Sequence, residues 1–328
     1  MKSHLRESAR SGQPHFGTGF WRGPGQRWHI LMANGRFPSQ LPGAACPGVT
    51  LHCHWTPGRA RFTSADMTTT RPRLLAFETI RNFRDFGGYE SRYGGRVRTG
   101  RLYRSGHHAE ASEDELVKMD ALGIHVQADL RRPDEREKQK SRFAPPVVIT
   151  HDGGRESEAP HMRFLTQVTV DAAAADEWMG EYYELAPFKA HHQALFRDWF
   201  VQLAEAPGEA AGLVNCAAGK DRTGILCALT HHILGVSEAD IRADYDLTNE
   251  AVGVNQRLPE AAAYFNQMIG KDLPAEVYRP FMGVHLKYLD RAFGAIHAKA
   301  GSLDSYLADV LKVDRALQAD LRAKLIEA

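Results

Sequence analysis

The stretch Leu213 to Leu226, LVNCAAGKDRTGIL, restricts the fold of this chain more than any other. An apolar run ends at Asn215, a turn containing Gly219 follows, and a helix is expected to begin near Arg222 or Thr223, carrying Ile225, Leu226 and Leu229. A strand passed to a helix through a tight turn points the turn amides and the positive end of the helix dipole into one small concavity, where a tetrahedral anion fits. Cys216 stands at the floor of that concavity. The amides, the dipole and Arg222 would all favour its thiolate over its thiol. The amides of Ala217, Ala218, Gly219 and Lys220 form the cradle, and Lys220 adds a second positive charge. Arg222 can fold back over the loop and grip two oxygens of a phosphoryl group bidentately, which a lysine does not do with the same geometry. Thr223 can donate its hydroxyl to the sulfur when the sulfur must leave.

Spacing alone does not establish this site. The segment CHWTPGR gives Cys53 and Arg59 the same separation, but Pro57 lacks the amide a cradle needs and the following ARFTSADMTTT is a poor helix. The second copy has strand, glycine, arginine and helix in the required order.

The rest of the chain alternates strand-like and helix-like segments. Residues 87–97 read as a hairpin, 101–106 as a short strand, and 124–131, 147–152 and 212–217 as further strands. A helix follows Ser112 as N-cap, with Glu115 at the capping-box position and Gly123 as its stop. One long amphipathic helix is expected over 176–205. Beyond Thr223 the sequence is almost all helix, punctuated by Gly235, Pro259, Gly270, Pro274, Pro280 and Gly301. This alternation predicts an α/β fold with a mainly parallel central sheet flanked by helices and a helical C-terminal extension. Residues 1–66 are rich in Gly, Pro, Arg, His and Trp without periodicity, so little regular structure is expected there, and 67–328 is expected to form the domain. Met67 is either the natural start or the end of a flexible basic tail.

Composition narrows the classes. The chain has 328 residues, 43% hydrophobic and 25% charged, enough for a real core. Residues 1–66 hold 8 Lys+Arg against 2 Asp+Glu, leaving 33 against 38 in the remainder. A general basic field for nucleic acid is therefore absent, and any attraction for anions must be local. No apolar run reaches the roughly 18 residues that span a bilayer, and no signal-peptide core is seen near the start. With Cys216 and Cys227 as the thiols of the globular part, a reducing cytoplasm is expected. A disulfide between them is less expected than a core role for Cys227. No metal or other cofactor is expected, since Arg222 and the amides would supply the charge a metal would bring.

NCAAGKDRTG resembles the signature loop of the cysteine-dependent tyrosine and dual-specificity phosphatases, closest to their bacterial branch. RNFRDFGGY (81–89), GRLYRSG (100–106), ADLRRPDE (128–135), ADYDLTNE (243–250) and GSLDSYL (301–307) resemble that family's recurrent segments in the same order, so the likeness covers about 77–328. It implies hydrolysis of phosphomonoesters through a phosphocysteine, with phosphotyrosine proteins or phosphoinositides as substrates. Where the family usually carries His before the cysteine, this chain has Asn215, which is expected to brace the loop backbone. Lys220 would favour polyanionic head groups, or else be solvated. A leaving alkoxide or phenoxide needs a proton donor. Asp129, at the end of an expected parallel strand and at the family's position for the acid, comes first; Asp221 inside the loop comes second and Asp152 third. The competing role for Asp129 is an ion pair with Arg131 or Arg132. Arg84 is a candidate substrate contact, although a turn-fixing salt bridge with Asp85 is the more expected role. Tyr245 and Asn249 are expected beneath the loop, and His107 and His108 on a loop surface. A phosphate-binding pocket without catalysis and a rhodanese-like sulfur transferase are the readings from other classes.

Overall fold

Why β6 is the middle of the sheet follows from its sequence: Ala211–Asn215 reads AGLVN and all of it is buried, as expected of a strand covered on both faces. The computed structural model describes residues 74–154, 160–167 and 170–328, and the expectations for 1–66 lie outside them. In chain order come β1 (Arg84–Asp85), β2 (Arg96–Val97), β3 (Leu102–Ser105), α1 (Glu113–Asp120), β4 (Ile124–Asp129), α2 (Pro133–Lys138) and β5 (Val147–Ile149). Then follow α3 (Pro160–Leu165), α4 (Ala172–Leu185), α5 (Ala190–Glu205), β6 and α6 (Asp221–Ile233). The remainder holds α7 (Glu238–Ala251), α8 (Val254–Ile269), α9 (Arg279–Met282), α10 (Leu286–Ala300), α11 (Leu303–Ser305), α12 (Arg315–Leu325) and β7 (Ile326–Glu327).

The main sheet has the order β1-β3-β6-β4-β5, in which β3, β6, β4 and β5 run parallel and β1 is an antiparallel edge. Successive side chains of a strand face opposite sides, and two cores result. Leu102, Val126, Ala128 and Val214 join the larger core with residues of α5 and α6. Tyr103, Ile124, Ala211 and Leu213 join a smaller one with Ile80, Phe83, Met119 and Phe143. Ile124 and Val126 share a parity yet face different cores because the register of β4 against β6 shifts between them. The ends of β3, β4 and β6 bring Ser105, Asp129 and Asn215 to one edge, the edge at which parallel sheets place ligands.

Local signals hold where they are short-range. Ser112 and Glu115 form both halves of the capping box of α1, and Gly123 takes φ +65°. Residues 88–97 form the hairpin, with Gly88 N–H donating to Val97 O (2.7 Å) and Val97 N–H to Tyr89 O (2.8 Å). The single helix expected over 176–205 is instead α4 and α5, parted by a turn at Ala186–Phe188. Pro187 has no N–H to continue the ladder, and the backbone leaves helical geometry at Lys189, which is extended (φ −71°, ψ 126°). Pro259, by contrast, is accommodated inside α8. No helix among the described residues is long and apolar enough to cross a membrane.

Candidate active site

The loop between β6 and α6 has the form its sequence demands. Gly219 adopts φ +68°, and a Cβ there would lie 2.4 Å from the carbonyl carbon and oxygen of Ser105, so only glycine fits. Its carbonyl is held by Asn82 Nδ2 (2.6 Å) and Arg104 Nη2 (3.1 Å). His107 N–H donates to Ala217 O (3.3 Å). The helix that follows is enclosed from Arg222 through His231, which fixes its N-terminus rigidly against the loop.

Cys216, Ala217, Ala218, Lys220, Asp221 and Arg222 line a cavity of about 120 Å³. Its other walls include Arg132, Glu135, His161, Trp178, Tyr182, His191 and Phe281, none of which was a candidate site residue from the sequence. The guanidinium of Arg222 forks onto Glu135, with Nη1 to Oε2 at 2.6 Å and Nη2 to Oε1 at 2.9 Å, and Nη1 also reaches Leu130 O at 2.9 Å. Burial alone would raise the Glu135 carboxyl, but Arg222 and Arg132 pull it down to about 2. Burial holds His161 and His191 at about 4, so both are neutral imidazoles at pH 7. Asp221 Oδ1 accepts from Tyr183 Oη (2.8 Å) and Lys220 Nζ (2.8 Å), and Tyr183 in turn receives the Tyr245 hydroxyl (2.7 Å). Thr223 Oγ1 is buried without a hydrogen-bond partner among the described residues.

Several expected residues stand elsewhere. Lys220 is only 4% exposed; besides Asp221 its ammonium meets the carbonyls of Pro280 (3.4 Å) and Gly283 (3.1 Å), so it ties the loop to α9 rather than standing in solvent. Asp129 is not part of the cavity wall. Its carboxylate accepts Arg131 Nε (2.8 Å) and Nη2 (2.6 Å) and Asn215 Nδ2 (3.2 Å), the strand-end ion pair weighed against it. Asn215 is thereby braced between Asp129 and Gln127 Nε2 (2.9 Å), across β4, instead of supporting the loop backbone. The Asp152 carboxylate is 97% exposed and pairs with Arg136 at 3.1 Å, also outside the cavity. Arg84 is fully enclosed and holds Asp244, with Nε to Oδ1 at 3.2 Å and Nη2 to the main-chain O at 2.8 Å, so it supports the underside of the site instead of facing a ligand. Its expected partner Asp85 instead accepts the amides of Gly87 and Gly100. His107 and His108 are buried, not at the surface, and burial pushes His108 down to about 3. Cys216 and Cys227 are both free, and burial pushes the Cys227 thiol up to about 12.

Glu135 carried one readable signal, since a Glu three positions after Arg132 and two after Pro133 suits the first turn of a helix; its carboxylate does accept Arg132 N–H at 2.7 Å. Its contact with Arg222 spans 87 positions and had none.

Comparison with known proteins agrees with this geometry. Residues 75–327 match the model of the tyrosine phosphatase family. The chain is 36% identical over 256 residues, 74% of its own length and 85% of the relative's, to a Cupriavidus necator protein assigned by name to the tyrosine-protein phosphatases. It is 27% identical over 263 residues (70% of this chain, 90% of the relative) to the triple specificity protein phosphatase PtpB of Mycobacterium tuberculosis. To a tyrosine-protein phosphatase of Nostoc commune it is 26% identical over 238 residues, 71% of this chain and 74% of the relative. A cysteine and an arginine sharing one cavity at a helix N-terminus, within a match spanning nearly all the described residues, show that the chain belongs to the tyrosine phosphatase family and is an enzyme of that class.

Proposed function

We propose that the chain hydrolyses phosphotyrosine through a phosphocysteine on Cys216. The observation that carries this reading is that Cys216, Arg222 and Asp221 line the same small cavity. Of the five guanidinium N–H groups of Arg222, Glu135 takes two and Leu130 O takes one. Those left among the described residues are Nε–H and one Nη2–H, the parallel pair that suits two phosphoryl oxygens. The Cys216 sulfur attacks phosphorus in line, the ester P–O bond breaks, and Asp221 gives its proton to the departing phenolic oxygen. Water then attacks the S–P bond, returns a proton to Asp221, and releases phosphate. The sulfur leaves with the hydroxyl of Thr223 as its hydrogen-bond donor. Asp221 takes the proton role here because Asp129 is held by Arg131 away from the cavity, and because the cavity histidines are not protonated at neutral pH.

The substrate reading rests on the walls. Trp178 stacks on Tyr182 with centroids 6.5 Å apart and meets Phe281 at 5.8 Å, which gives an apolar slot suited to an aryl ring. The phosphoinositide alternative would use Lys220 on a further phosphate, but that ammonium already faces Asp221 and two carbonyls. A panel of phosphotyrosine peptide, phosphoserine peptide and phosphoinositide vesicles, run on wild type and Cys216→Ser, tests both points. Fastest turnover of the phosphotyrosine peptide, abolished in Cys216→Ser, is expected. Full activity in the Ser variant would overturn the mechanism, and preferred turnover of the vesicles would overturn the substrate.

A further inference from the structure

The charges buried beneath the loop do not cancel. Arg222 faces Glu135, Arg131 faces Asp129 and Lys220 faces Asp221. Under Gly219 the pattern differs: two guanidiniums share one carboxylate. Arg84 Nε stands 3.2 Å from Asp244 Oδ1, and Arg104 Nη1 stands 2.7 Å from Asp244 Oδ2. Both arginines are 0% exposed and Asp244 is 1% exposed. Among the described residues, and apart from the Cys216 sulfur of the loop itself, which also acts on Arg104, the groups packed around them bring no compensating anion. Burial keeps the Cys227 thiol protonated, holds His231 below its ordinary value and therefore neutral, and raises the Tyr89 phenol. Beneath the loop one positive charge is therefore in excess among buried side chains, where an uncompensated cation is expensive.

The position of that charge is informative. Arg104 lies on β3 in register with Val214 of β6, just before the loop. Its Nη2 holds Gly219 O at 3.1 Å and lies 3.7 Å from where a Cβ on Gly224 would stand, in the first turn of α6. The guanidinium is therefore directly behind the turn that cradles the anion.

We propose that Arg104 is a positioning residue for anion binding: held from below by Asp244, it fixes the Gly219 carbonyl and supplies a buried positive charge that answers the phosphoryl group above. This rests on the loop being the phosphate site. Arg222 is already matched by Glu135, and Lys220 is tied to Asp221 and two main-chain carbonyls, so the excess charge beneath sets part of the affinity for the anion.

The experiment measures binding of inorganic phosphate by calorimetry, and its inhibition of aryl phosphate hydrolysis, in wild type and four variants. Arg104→Gln removes the excess charge and is expected to weaken phosphate binding roughly tenfold, the scale of one unit charge acting through a protein interior. Arg104→Lys keeps the charge and is expected to stay within about threefold of wild type by the same reasoning. Arg84→Gln removes the same charge from a residue that reaches the loop through Asn82 and not directly, so it repeats the loss and serves where Arg104→Gln does not fold. Arg104→Gln combined with Asp244→Asn leaves one buried charge, and near-wild-type binding is expected. Equal losses in this double variant and in Arg104→Gln would show a purely structural role and overturn the inference, as would unchanged binding in both single Gln variants. A wild-type protein that neither binds phosphate nor turns over aryl phosphate would instead refute the functional reading itself.

Discussion

Asp221 and Asp129 show how much a single neighbour decides. Both are aspartates close to the loop in sequence or space, yet one lines the cavity and the other is locked by a guanidinium two residues away. Asp221→Asn is expected to lower kcat on a phosphotyrosine peptide by about 10²-fold, the usual share of a general acid. Asp129→Asn is expected to leave kcat per folded molecule near wild type while costing about 3 kcal/mol of stability, because Arg131 would be left buried and unpaired. Steady-state kinetics together with urea melts separate the two, and a kcat loss in Asp129→Asn alone would reverse the assignment. The sequence ranked Asp129 first because a strand-end position can be read from a pattern, whereas the side chain its carboxylate meets cannot. The proposed nucleophile was legible for the opposite reason: Cys216, Gly219 and Arg222 stand within one short loop of the chain. Gly219→Ala should fail to give active protein, since the new methyl would overlap the Ser105 main chain.

At the scale of elements, the capping box of α1 does more than end a helix. Glu115 accepts from Ser112 N–H (2.9 Å), Glu78 N–H (2.7 Å), Thr79 N–H (2.9 Å) and the Thr79 hydroxyl (2.5 Å), stitching the segment before β1 to α1. Burial alone would raise this carboxyl, but those hydrogen bonds bring it from 4.5 down to about 2. A depressed carboxyl contributes stability that is complete above the unfolded value and fades as pH falls toward the folded one. Glu115→Gln should therefore melt lower than wild type at pH 7, with the gap closing below about pH 4.5 and nearly gone at about pH 2. Thermal melts across that range check it, and a gap constant with pH would contradict it. This box was visible in the sequence because its members are three residues apart. The break between α4 and α5 was less so: Pro187 was there to be read, but the continuous apolar periodicity on either side masked it.

The whole molecule assembles the cavity from distant pieces: the loop, Glu135 of α2, Trp178 and Tyr182 of α4, and Phe281 of α9. Lys220 joins the loop to α9 through Pro280 O and Gly283 O, so a ligand on the loop should be felt by the entire fold. Phosphate at a hundredfold excess over its Kd should stabilise the native state by about 2.7 kcal/mol, seen as a raised Tm, with the rise much reduced in Arg222→Met. The parallel sheet and helical second half were legible because alternation and glycine or proline punctuation are properties of neighbouring residues. The aromatic walls were not, because their meeting depends on how α4 and α9 pack. The central claim concerns one bond. Rapid-quench mass spectrometry of wild type turning over a phosphotyrosine peptide should find one phosphoryl group on the peptide containing Cys216 and none in Cys216→Ser; a phosphoryl group on any other residue, or turnover without it, would contradict the account.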